Sequence, residues 1–560
     1  MTQLLDRNLL SVEDDAELGI FHATTKAHGL YNNLHFVLRL SPRIHERLSE
    51  LPRGIVSSSN MSFEGAQAAS TYLHETVHWW QHIGSTYGFV LSLCAPCGLQ
   101  SNYARLKELL AREGLKKPIR SFAFYAEHPS TPDTVAGIAN IISNNQFDFE
   151  AFARLTHNAQ TRTAILNNPM LRTVGHAFNI TWSNVAGLIG STFDPDWNVL
   201  ADPREWESDF DFLASDAAEG KFEGSLFRRS ERVSIYPIGA YEIMEGQARF
   251  AQLQFLHFGS GGRQSWDEFE AASMLSGPYI AAFNLFLTLT GIERPASFDH
   301  PAVALFMLIC DMALNPGSGF PMPLAFPHTL VDDLDPGTRF YLLSALVKQK
   351  PALAGKIRSY SRQEYAEVSA ELAHDAKLDP PLAIAETFAG WPSRTAAAAA
   401  AMREYDDYRY SATNMSVRVL FTHFIAFMRD KALRPEVFCW PGVWMTGDRI
   451  SDDLPALLDR HSAMFIDKPD DDGVFPRLRQ DRDPRAVQAV FEEFYGAVVL
   501  YDMVRQWITE DGPFRYDLSW LVQHGAPEEF KAYASRLFIQ AFGVDPTTAV
   551  LMPSLADNLS

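Results

Sequence analysis

His74, Glu75 and His78 spell H-E-x-x-H in the string His74-Glu75-Thr76-Val77-His78. Residues four apart on a helix lie one above the other, so both imidazoles reach one metal ion. The glutamate beside the first histidine then lies close to a metal-activated water, where a carboxylate acts as general base. Five residues thus supply two ligands and a base. With 17 histidines in 560 residues, roughly 0.03 chance matches to this pattern are expected.

The element that must carry these residues is a helix. Ala66, Ala69, Leu73, Val77, Trp80 and Ile83 recur at spacings of three and four between Ser62 and Gly84, the apolar stripe of a helix. No proline interrupts the segment, and Gly84 and Gly88 offer stop points. A catalytic zinc site takes three protein ligands and keeps one position open. His82 continues the histidine row. Eight residues of helix put it about 12 Å along the axis from His74, too far to share a metal. A metzincin would need glycine at 81 and histidine at 84, where this chain has Gln81 and Gly84.

A second helix is predicted around Tyr241 to Phe250, with Ile243, Met244, Ala248, Phe250, Ala251 and Leu253 as its apolar residues. Glu242 and Glu245 are three apart and share a face. One can bind the metal while the other orients a histidine. On spacing alone either carboxylate is open as third ligand, as is a solvated face with Glu245 and Arg249 paired at i, i+4.

The combination of His74 to His78 with Glu245-Gly246-Gln247-Ala248 resembles the gluzincin metallopeptidases. That resemblance implies Glu245, in an E-G-x-A helix, as third ligand, with His74, His78 and Zn2+ completing the site. It also implies a small sheet beside the metal helix. The longer string ending at Gln81 is similar to bacterial proteins of unknown function with an H-E-x-x-H-x-x-Q helix and a later E-G-Q-A helix. The likeness covers two short helices. Because 167 residues separate His78 from Glu245, it implies a large helical insertion between them.

The expected reaction is hydrolysis of a peptide or protein substrate, with Glu75 taking the proton of the attacking water. A tetrahedral oxyanion needs a further donor. Tyr236, Tyr241, His176 and His328 are candidates. The two tyrosines stand out only because they precede the Glu245 helix, and packed aromatics are the plainer reading. Two other readings compete. Glu75-x-x-His78 and Glu371-x-x-His374 are two E-x-x-H strings, the motif pair of a helical di-iron oxidase, with Glu64, Glu242 or Glu245 as further ligands. A non-catalytic metal-binding scaffold is the other, although such a protein has no need of Glu75.

Composition narrows the class. Hydrophobic residues make up 47% and charged residues 21%, ordinary for a globular protein. A formal charge of −20 argues against nucleic-acid binding and against anionic membrane surfaces. Met1 to Glu17 is acidic without an apolar core, unlike a secretory signal. The apolar runs Tyr279 to Ile292 and Ala302 to Cys310 are shorter than a membrane span. A cytoplasmic enzyme is expected, with room for a regulatory protein partner at a cleft walled by the insertion. Cys94-Ala95-Pro96-Cys97 is a C-x-x-C string. It lacks the strand-then-helix setting of a redox site, so buried free thiols are expected.

The predicted fold is mainly α, with a zincin-like metal helix and a small N-terminal sheet embedded in a multi-helical body. Alternating stretches at Leu34 to Leu40 and Gly54 to Val56 are the candidate strands. Helices are expected at 102–113, 133–144, 147–156, 242–256, 302–314, 335–349 and 363–376, and across Ala396 to Ala401. Loops are expected near 193–203, 257–265, 315–328 and 433–443. The acidic run Asp467 to Asp472, broken by Pro469 and followed by Gly473, reads as an exposed turn. The division that follows is 1–260 for the metal-binding domain with an insertion at about 100–230, then helical domains at 261–395 and 396–560.

Overall fold

Ser62 opens the helix that carries the histidines. Its hydroxyl accepts the Gly65 N–H at 3.0 Å, which satisfies one of the backbone donors left over at a helix start. The helix, α1, spans Phe63–Ile83 and ends at Gly84. The structure is a computed structural model that describes residues 28–51, 62–125, 134–155, 162, 174–193, 236, 238–323, 330–479 and 481–554. Nearly every side chain of α1 from Gly65 onward is buried, so it is a central helix packed on all sides rather than one lying on a surface.

The second helix, α2, spans Ala240–Gly259 and packs along α1. Its other sides meet the Pro278–Thr290 helix and the short Pro441–Trp444 helix. Gly246 makes this closeness possible. A Cβ built there would lie 3.3 Å from the Ala282 methyl and 3.4 Å from the Phe306 ring, tighter than ordinary contact.

Four strands form a mixed sheet beside α1: β1 (Gly29–Asn32), β2 (Val37–Leu40), β3 (Phe465–Lys468) and β4 (Asp471–Pro476), in the order β1-β2-β3-β4. β1 and β2 are an antiparallel hairpin with Gly29 opposite Leu40. β2 and β3 are parallel, with Val37 opposite Phe465, and β3 and β4 are antiparallel. The expected N-terminal sheet is present, and strands from far down the chain complete it. The expected Leu34–Leu40 strand is shorter, because Asn32 Oδ1 accepts the Leu34 and His35 N–H groups and turns the chain. Gly54 to Val56 lies outside the described residues.

The acidic run holds the expected exposed turn at Pro469 and Asp470, between β3 and β4, but its first residue is not part of that turn. Asp467 is buried in β3, where its carboxylate accepts the Leu40 N–H at 3.0 Å and meets His45 Nε2 at 2.8 Å. Those partners offset part of the cost of burying the charge, and burial still holds the carboxyl above its usual range.

The remaining body is helical. The expected segments appear as Tyr103–Glu113, Pro301–Leu314, Pro336–Gln349, Arg362–Ala376 and Ala396–Asp407. The two helices expected between 133 and 156 are one, Val135–Leu155. Its polar middle is tolerated because Ser143 Oγ donates to Ala139 O and Asn145 Nδ2 to Asn102 Oδ1. The loop expected at 433–443 contains two one-turn helices, Pro435–Cys439 and Pro441–Trp444, each started by its proline. Positions 194–203 and 324–328 of the other expected loops lie outside the described residues. Among those residues no helix is long and apolar enough to cross a membrane.

Candidate metal centre

α1 and α2 bring three ligand-type atoms to one point. His74 Nε2 and His78 Nε2 are 3.1 Å apart, and Glu245 Oε2 lies 3.4 Å from the first and 3.3 Å from the second. Among the described residues, no other group of three or more His, Cys, Asp or Glu side chains is arranged to hold a metal ion. His74 and Glu75 are each only 3% exposed, and His78 is 9%. The Glu245 side chain keeps 16%, so the cluster is deep but not sealed. His82 is separate. It faces back along α1, with Nδ1 at 2.9 Å from His78 O.

The two candidate carboxylates on α2 part company locally. Glu242 turns to its own helix start, where Oε2 accepts the Gly239 N–H at 3.0 Å. Glu245 meets the two histidines rather than Arg249. The Arg249 guanidinium lies 3.9 Å over the Tyr279 ring, and that ring meets His74 edge-on at 5.9 Å. Arg249 and Tyr279 thus form a buried wall beside the cluster that no motif marked in the sequence.

Electrostatics follow from burial and from the Glu245 carboxylate between the two imidazoles. Burial pushes His74 down to about 3. It also opposes charging of His78, but Glu245 outweighs it and holds that imidazole up at about 9. Burial works against the Glu245 charge as well, yet the two histidines keep its carboxyl well below the usual range. Burial raises Glu75 to about 7, with His78 opposing and Glu245 adding to the rise.

Glu75 stands between this cluster and the sheet. It accepts a hydrogen bond from the Tyr31 backbone. A Cβ on Gly29 would lie 2.7 Å from both Glu75 Cγ and Oε1. The glycine is there because the carboxylate occupies its side-chain space. β1 is an edge strand among the described residues, and Glu75 packs against it at Gly29.

A second network holds His78. Its Nδ1 lies 2.8 Å from Gln81 Oε1. Gln81 Nε2 donates at 2.9 Å to both Met244 O and Gln247 Oε1 on α2. In the sequence Gln81 served only to exclude a metzincin and to mark a resemblance. The E-G-Q-A glutamine was the available signal for its partner.

The expected oxyanion donors fare differently. Tyr236 stacks on Tyr341 at 3.7 Å, and its ring makes no recorded contact with the cluster. Tyr241 is half-buried on α2, one turn before Glu245. The His176 side chain and all of His328 lie outside the described residues. The di-iron pairing is not assembled. The Glu371 carboxylate is held by Lys350 and Lys356 at the surface, and Glu64 pairs with Arg47. Cys94 and Cys97 are buried free thiols whose pKa values burial pushes up. They are poor nucleophiles.

No protein-family model matches the chain, and no curated protein or solved structure matches it.

Proposed function

We propose that this protein is a zinc-dependent hydrolase of the gluzincin kind, acting on peptide bonds. The observation that carries the reading is the set of three separations, 3.1, 3.3 and 3.4 Å, among His74 Nε2, His78 Nε2 and Glu245 Oε2. Ligands at tetrahedral corners with zinc bonds of about 2.0–2.1 Å stand about 3.3–3.4 Å apart. The donor set is that of a catalytic site, two histidines and a glutamate with the fourth position open. Zinc, when bound, supplies a Lewis acid that polarises a carbonyl and makes a neighbouring water acidic.

The protein's own groups do the rest. Glu75, raised to about 7, takes the proton of the attacking water and returns it to the leaving amine. Desolvation around a buried carboxylate makes it a better base at neutral pH. Glu75 packs against β1, an edge strand among the described residues, and a strand edge favours an extended peptide as substrate.

The test is metal content with one substitution. Purified chain should hold about one zinc, as three-ligand sites do. Glu75→Gln should keep the zinc and lose about 10²–10⁴-fold in peptide hydrolysis. A folded wild type that takes up no zinc would refute the proposal.

A further inference from the structure

Gln81 is 4% exposed and uses its whole amide. Met244 O is a backbone carbonyl and accepts only, so the Gln81 nitrogen must face it. That places Oε1 against His78 Nδ1 at 2.8 Å. An amide oxygen cannot donate, so Nδ1 carries the hydrogen. The lone pair of a neutral His78 is then on Nε2, the atom facing His74 and Glu245. A flipped amide would set Oε1 against the oxygens of Met244 and Gln247, and an N–H against Nδ1.

The same amide measures the register of the two helices. Met244 immediately precedes Glu245, and Gln247 follows it by two. One side chain on α1 therefore fixes a ligand on its own helix and spaces the helix that carries another. We propose that Gln81 is the positioning residue of the metal centre. It presets His78 as the Nδ1–H tautomer and ties α1 to α2 at Glu245, with the Met244 carbonyl locking the amide's direction. This rests on reading the cluster as a zinc site. Partners of this kind usually govern about 10–100-fold in metal affinity.

The experiment uses the full chain and zinc alone, titrated against a chelator. Gln81→Met keeps the length of the side chain and removes both hydrogen-bonding ends. It should bind zinc about 10–100-fold more weakly than wild type. Gln81→Glu keeps an acceptor opposite His78 Nδ1 and should bind zinc more tightly than Gln81→Met. In ¹⁵N-histidine spectra of the zinc-loaded wild type, His78 should carry hydrogen on Nδ1 and be ligated through Nε2. Gln81→Met within about twofold of wild type, or Gln81→Glu no better than Gln81→Met, would overturn the positioning role while leaving the zinc site standing. Ligation through Nδ1 would overturn it even if neither variant folds. A wild type that binds no zinc removes the zinc reading itself, and the positioning role with it.

Discussion

Gly29→Ala is a one-methyl probe of Glu75 as the proposed base. Gly29 has no left-handed φ, so its backbone accepts alanine without conformational strain. The cost comes from contact alone. The new Cβ would stand 2.7 Å from Glu75 Cγ and Oε1, and 3.0 Å from Cδ. Carbon atoms rest about 3.5–4.0 Å apart, so about 1 Å of displacement is needed. Glu75 is 3% exposed, so it cannot simply swing out into solvent. Either the carboxylate turns away from the cluster or β1 moves outward and loosens the Tyr31 hydrogen bond. Overpacking of this kind costs about 1–3 kcal/mol of stability. A displacement of about 1 Å in a reacting group costs on the order of 10²-fold in rate. The assay is kcat/KM on a peptide that the wild type cleaves, with zinc content measured on the same preparation. Zinc should stay at the wild-type level while kcat/KM falls about 10²-fold. Wild-type kcat/KM in Gly29→Ala would refute the placement of Glu75 against β1 as a catalytic requirement.

Two further outcomes follow from charge. In the metal-free protein His78 holds its proton up to about pH 9, and zinc must displace that proton. Zinc affinity should therefore rise about tenfold per pH unit between pH 7 and 8.5, with proton release visible by calorimetry in buffers of different ionisation enthalpy. His82 and His423 are buried and pushed down to about 4 and about 3 from 6.5. The unfolded chain takes up protons below 6.5 that the folded chain refuses, so stability falls as pH drops through that window towards 4. The two together should lower unfolding free energy by about 3 kcal/mol between pH 7.5 and 5.5, read by denaturant titration. Unchanged stability over that range would contradict their burial as neutral groups.

Much of the site was legible because it is local. His74 and His78 need only the helix period, and the stripe from Ala66 to Ile83 announced that helix. Glu245 over Glu242 was not settled by spacing. The deciding facts are the Gly239 N–H that occupies Glu242 and the packing of α2 on α1, and neither is periodic. β3 was hidden for the same reason. Asp467 looks like a solvated charge until Leu40 and His45, more than 400 residues earlier, are placed beside it. Gln81, Gly29 and the Arg249–Tyr279 wall owe their roles to contacts between distant segments, which no single stretch of sequence encodes.

The central claim is that one zinc ion sits among His74, His78 and Glu245. Anomalous diffraction at the zinc edge from zinc-loaded crystals tests it most directly. The account predicts one full-occupancy peak about 2.0–2.2 Å from His74 Nε2, His78 Nε2 and a Glu245 carboxylate oxygen. A peak ligated by His82 or Glu242, or no peak at this cluster, would contradict it.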